Sequence, residues 1–402
     1  MWFVWIKFDF FYLLTDVKDY GFFYLSGAQI LNDPENLYDV SGFLYLPSFA
    51  CVFVLFTFID YLIGWYVFYI INLIFAVLSL IEFNKILKLL DIDKNWHRFL
   101  FLIVISGGWM VLYNMGLNQV KFIIRFIFFF VIRREMTCRK ENIEKTIIYY
   151  VINYSLFFFA IGMAPYFFLL AFFLLFHEIK FREIFSKQNI MKYIVFSCAF
   201  LSQNILLVIY PTMFLDFLSS GLGAKTSTGI IPLFYLEDIF QNIEPIIKQI
   251  ITISFFSILS IISIIILLNK KLKIEYKFGL FSLAYMFLGT FLGSNIQLVY
   301  LPFVMLLYIP FLEKEEEVVD FFKKNILFFI GLISILMIYF SPLTYVYVFN
   351  VSKIFPFLLE EPFYTLLLWR YVIFYIFATL PLLILFLLSR KNNDLSKETD
   401  AK

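Results

Sequence analysis

Charge is scarce in this chain. Asp, Glu, Lys and Arg make up 15% of its 402 residues, against about a quarter in ordinary soluble domains. The 32 basic and 30 acidic residues leave a formal charge of +2, so there is no basic footprint and nucleic acid is excluded as a partner. Histidine occurs only at His97 and His177, which removes mechanisms that need clustered imidazoles, such as most metal hydrolases, haem proteins and triad enzymes. The three cysteines, Cys51, Cys138 and Cys198, are too widely spaced for a disulfide framework or a zinc site. No internal repeat and no soluble domain stands out.

Apolar residues fill the space left by charge. The chain is 62% hydrophobic with 57 Phe, and its mean hydropathy is +0.88. A protein of this length has no interior large enough to bury that excess, so the expected solvent is lipid. The expected fold is all-α: a polytopic membrane protein of about 12 transmembrane helices, spanning 1–15, 62–81, 98–113, 117–132, 147–162, 163–176, 193–215, 245–268, 278–293, 297–312, 325–348 and 363–389. Residues 1–389 then form one integral membrane domain and 390–402 a tail.

Lys and Arg set the expected orientation. Segments 82–98, 133–145, 177–192, 269–277, 313–325 and 389–402 hold 24 of the 32, while the alternate loops hold four. Cytoplasmic loops retain positive residues, so both termini are expected in the cytoplasm of a multi-pass plasma-membrane protein. The parity of crossings leaves room for only one between 46 and 83, so 46–60 is expected to dip in or lie as a short helix before the span at 62–81. Asn350 begins a sequon in an outward loop, whereas the sequon at Asn153 falls inside a span and should stay bare.

Polar groups are costly in a membrane and mark functional positions. The outward loop 16–47 carries Asp16, Asp19, Asp33, Glu35 and Asp39, and the loop 216–244 adds Asp216, Glu237, Asp238 and Glu244. Four cations lie within or at the outer ends of spans: Lys121, Arg125, Lys248 and Arg370. Lys121 and Arg125 are four apart and share a helix face. Carboxylates above membrane-level cations suit a lipid phosphate whose polar cargo sits among the acids. The plainer readings are cations that snorkel to headgroups and carboxylates that cap a juxtamembrane helix.

The run DYGFFYLSGAQIL (Asp19 to Leu31), then NLYDVSGFLYLP (Asn36 to Pro47), resembles the opening of glycosyltransferase family 87, the GT-C polyprenol-phosphate-mannose transferases. The matching positions are Asp19, Tyr20, Phe23, Tyr24, Ser26, Gly27, Leu37, Tyr38, Phe43, Tyr45 and Pro47, and a later family turn is similar to Gly116, Asn118 and Gln119. The resemblance implies transfer of a hexose, mannose by expectation, from a polyprenyl-phosphate donor to a glycan, lipid or glycoprotein acceptor on the outer face.

In that chemistry a base takes the acceptor's proton and positive charge stabilises the departing phosphate. The resemblance gives Asp19 the role of base, with Asp16 as second candidate. Lys121, Arg125 and Arg370 are the candidates for the phosphate. Tyr20, Tyr24, Tyr38 and Tyr45, with Asn118 and Gln119, are candidates for binding substrate, although interfacial aromatics also serve as anchors. No cofactor is expected, and no ligand spacing demands a metal, although the outer carboxylates are able to hold a divalent ion. Two alternatives stay open. One is a transporter or lipid flippase. The other is a catalytically inactive assembly subunit, because GMAPY at 162–166 lacks a Lys before Pro165 and GSNIQ from Gly293 stands where the family has a Pro and His motif.

Overall fold

The computed structural model describes residues 18–40, 43, 45–92, 95–107, 111, 114–115, 118–179, 183–221, 245–268, 273–288 and 294–307. The expected spans 1–15, 325–348 and 363–389, the tail, and most of the loop 216–244 lie outside them. The regular elements among the described residues are all helical, with no strand.

The helices are α1 (Lys18–Asn32), α2 (Pro47–Phe53), α3 (Tyr61–Leu89), α4 (Asn95–Gly107), α5 (Lys121–Lys140), α6 (Ile147–Gly162), α7 (Phe168–Phe176), α8 (Lys187–Gln203), α9 (Ile205–Ile209), α10 (Pro211–Gly221), α11 (Pro245–Leu268), α12 (Ile274–Leu288) and α13 (Ser294–Leu306). Among the described residues, α3 alone is long and apolar enough to cross a membrane; Pro47–Phe58 and α6 are shorter apolar segments.

Several boundaries follow from local chemistry. Asp60 stops the preceding 3-10 turn and caps α3, its Oδ1 accepting from the backbone N–H of Leu62 at 2.9 Å and Ile63 at 3.2 Å. The Thr146 hydroxyl caps α6 and the Ser186 hydroxyl caps α8 in the same way. The short helix expected over 46–60 is present as α2 running into a 3-10 turn, Val54–Phe58.

Three expected spans take different shapes. The stretch 62–81 continues as helix through Glu82, Lys85 and Lys88 to Leu89. The stretch 163–176 opens with the 3-10 turn Pro165–Phe167 and leaves a nine-residue helix, roughly 14 Å long at 1.5 Å per residue. The stretch 193–215 is interrupted twice. Asn204 turns its side chain back to donate to the Phe200 carbonyl at 2.9 Å, which ends α8. Pro211 then holds Tyr210 extended and restarts the chain as α10.

Cross-contacts fix the directions of the helices. Asn72 meets Asn118, Ser79 meets Arg125, Glu82 meets Arg133 and the Leu89 carbonyl meets Lys140, so α3 and α5 run parallel. Arg134 meets Asn153 and Phe128 stacks on Phe157, so α6 runs back antiparallel. Tyr154 and Phe158 meet Phe196 and Phe200, which aligns α8 with α6. Phe278 and Phe281 face Phe303 and Tyr300, so α12 and α13 are antiparallel.

The alternation gathers Arg133, Arg139, Lys140 and Lys145 with their acidic partners, and Lys192 and Lys277, at one end of the bundle, while Tyr45, Leu46, Asp60, Asn118, Lys121 and Gly162 lie at the other. Along α3 the inward residues Trp65, Phe68, Asn72, Ala76, Ser79 and Phe83 recur every three or four positions and are buried. The opposite face exposes Leu62, Ile63, Ile70, Ile74 and Val77, each over one-third accessible.

Candidate functional site

At the loop end, α1 and α2 build an aromatic block against α3. Phe23 is fully buried, with ring neighbours Tyr45 at 5.2 Å, Phe49 at 5.0 Å and Phe53 at 5.1 Å. This block fixes Tyr45, and the Lys121 ammonium stands 6.0 Å from the centroid of its ring. The same stretch is tied to a second segment by the Leu46 N–H, which donates to the Gly162 carbonyl at 2.9 Å. The first loop, the start of α5 and the end of α6 therefore meet.

Lys121 and Arg125 do not snorkel outward. They are 4% and 1% exposed and face the interior of the bundle. Arg125 Nε donates to Ser79 Oγ at 3.0 Å, and the guanidinium lies 5.1 Å from the Phe122 ring centroid. Asn118 adopts φ of 53°, a left-handed conformation that Asn tolerates well. Its side chain accepts from Asn72 Nδ2 at 2.8 Å and donates to the Trp65 carbonyl at 3.1 Å, locking the turn before α5 onto α3. Gln119 is buried beside it, its backbone N–H on the Asn114 carbonyl.

The other candidates are placed differently. Asp19 lies in the first turn of α1. Tyr20 is fully buried, and its ring is surrounded by Tyr24, Phe53, Phe56, Tyr61 and Phe68. Enclosure on that scale makes Tyr20 part of the packing of this block. Tyr38 is likewise structural: its hydroxyl donates to the Tyr45 carbonyl at 2.9 Å and its ring meets Phe43 and Phe217. Tyr24 and Tyr45 are only partly buried. Asp16 and Arg370 lie outside the described residues, as does Asn350. Asn153 is 1% exposed and engaged by Arg134 and Glu135.

A second cluster, at the ion-paired end, went unrecognised in the sequence. Glu135 of α5, Lys145 of the following turn, and His177 and Glu178 after α7 converge there. Lys145 Nζ lies 2.5 Å from Glu135 Oε2 and 2.7 Å from Glu178 Oε1, and His177 Nε2 lies 3.3 and 3.5 Å from the same two oxygens. Burial opposes the Glu135 charge, but the hydrogen bond and charge from His177, with Lys145, hold its carboxyl down at about 2. Burial also opposes the charges of His177 and Glu178, and the same contacts override it, raising the imidazole and lowering the Glu178 carboxyl. Among the described residues, Glu135, His177 and Glu178 form the group able to hold a metal ion. The signal lay in Glu135 and His177, an acid and an imidazole amid basic loops, but nothing in their spacing pairs them.

Compared with protein families, curated proteins and solved structures, the chain finds no match.

Proposed function

We propose that the protein is a GT-C-like membrane glycosyltransferase of about twelve spans that moves a hexose, mannose by first choice, from a polyprenyl phosphate to an outer-face acceptor. Asp19 acts as the base, and Lys121 with Arg125 receives the phosphate. The observation that carries this reading is the meeting of the loop bearing Tyr45 and the Asn118–Lys121 turn, the two stretches that bear the resemblance, with the end of α6 tied to the same loop. A buried ammonium beside a partly open tyrosine suits a phosphate above which a sugar lies. The exposed aliphatic face of α3 supports lipid as the solvent.

The test is sugar transfer in proteoliposomes supplied with polyprenyl-phosphate mannose. Asp19→Asn should lower kcat by roughly 10²-fold or more, within the span of general-base effects, and Lys121→Gln should weaken use of the donor. Full activity in Asp19→Asn refutes the assignment of the base.

The polar line Asn72, Ser79 and Arg125 inside the bundle favours a flippase as second reading. Substrate-protected cysteine labelling from both faces, with no transfer, would select it.

A further inference from the structure

His177 sets a requirement that a cation must meet. Its Nδ1 lies 3.0 Å from the Leu174 carbonyl, which only accepts, so Nδ1 carries a hydrogen. Its Nε2 faces Glu135 Oε2 and Glu178 Oε1 at 3.3 and 3.5 Å, which as carboxylate oxygens also only accept. A positive species must therefore sit at Nε2, either a proton or a metal ion.

The spacing suits a metal. A tetrahedral centre with bonds of about 2.0–2.1 Å to nitrogen and oxygen has edges of roughly 3.3–3.4 Å. The two Nε2-to-oxygen distances, 3.3 and 3.5 Å, lie at and 0.1 Å beyond that edge, and the three ligand atoms lie within 4.8 Å of one another. The Nδ1 contact to a carbonyl is the outer support that zinc-binding imidazoles ordinarily have. The far oxygen of Glu135 accepts from Asn153 Nδ2 at 3.5 Å, which steadies the carboxylate.

We propose that Glu135, His177 and Glu178 form a binding site for a zinc-type divalent cation, with the Lys145 ammonium as its built-in competitor. Lys145 now bridges the two carboxylates where the metal would stand. Charge balances across the exchange. Before it, the ammonium and the imidazolium proton neutralise two carboxylates; after it, one dication supplies the same two charges. The Nε2 proton leaves to water, and Lys145 remains protonated as it moves outward from a turn whose neighbours Glu141, Asn142 and Glu144 are exposed. Glu178, with a 39% exposed side chain, leaves the site a route to solvent. The site lies at the opposite end of the bundle from Tyr45 and Lys121, and the inference does not depend on the glycosyltransferase reading.

The experiment is calorimetric titration of zinc chloride into the full chain in detergent at pH 7, run in two buffers of different ionisation heat. About one zinc should bind per chain with about one proton released. Lys145→Met should tighten binding, and His177→Ala should weaken it, each by about tenfold or more. His177→Gln replaces His177→Ala if circular dichroism shows the latter unfolded. Cobalt should give the visible bands of a tetrahedral centre in the native chain and not in the His177 variant. Absence of saturable zinc uptake by the native chain, unchanged affinity in the His177 variant, or displacement of zinc by equimolar calcium overturns the proposal.

Discussion

Gly27→Ala and Gly21→Ala, two substitutions of one residue type in one helix, should change stability in opposite directions. In a helix interior the exchange gains about 1 kcal/mol of intrinsic propensity at either site. The surroundings decide the rest. A Cβ on Gly27 would lie 2.5 Å from the Phe53 carbonyl carbon, 2.6 Å from its oxygen and 2.8 Å from the Val54 nitrogen. These are backbone atoms at the junction of α2 and its 3-10 turn and have no rotamer to change. Reaching ordinary contact requires α1 and α2 to separate by roughly 1 Å, and such overpacking costs about 1–3 kcal/mol. The separation also loosens Phe23 from Phe49 and Phe53. The upper half of that range applies, so the net loss is about 1–2 kcal/mol. A Cβ on Gly21 would lie 3.2 Å from the Tyr61 hydroxyl, a side-chain atom that needs to give by only a few tenths of an ångström, so most of the propensity gain survives.

The assay is the thermal midpoint of each purified variant in the same detergent. Gly21→Ala should melt at or above the native chain, and Gly27→Ala below it. A Gly27→Ala protein as stable as Gly21→Ala would refute the docking of α1 on α2, and with it the placement of Tyr45 beside Lys121.

Two further predictions rest on single groups. The Tyr20 hydroxyl is buried without a hydrogen-bond partner, and such a group costs about 1–3 kcal/mol, so Tyr20→Phe should raise the melting midpoint. Gly64→Ala would press its Cβ into that hydroxyl and lower the midpoint, and the double variant should recover; a Tyr20→Phe protein that melts lower than native refutes both. Glu135 has its carboxyl at about 2 in the fold against an ordinary 4.5, so it binds a proton more readily when unfolded. Its contribution is therefore complete above pH 4.5 and is lost as pH falls toward 2. Melting curves taken with a chelator should show this acid limb, and Glu135→Gln should flatten it.

The alternation of helices was legible because a basic loop marks every second turn, and the cross-contacts of α3, α5, α6 and α8 reproduce that order. Lys121 and Arg125 were legible as one face of a helix. Whether that face points inward was not, since it depends on Ser79 and Ile105, which lie 46 and 20 residues away. The Asn204 break was hidden because a side chain, not a Pro or Gly, takes over the backbone carbonyl. Tyr20 looked like an interfacial aromatic until the rings of Phe53, Phe56 and Phe68 closed around it. The Glu135 cluster was invisible for a general reason. Its members come from three stretches of chain whose charges, taken singly, look like the solvated residues that fix orientation.

One local conflict argues that Lys121 serves more than packing. Backbone dipoles make a helix N-terminus positive and a C-terminus negative, so cations suit the last turn and oppose the first, by about 0.3–1 kcal/mol at exposed sites and more where buried. α5 obeys the rule at one end, where Arg139 and Lys140 close the helix. It breaks the rule at the other, where Lys121 opens the helix and Arg125 follows one turn later, both buried. Departures from local preference are expected where a site, rather than the fold, selects the residue. Under the proposed function, a phosphate reaching this point would meet the positive dipole end and two cations together, an arrangement that favours anion binding.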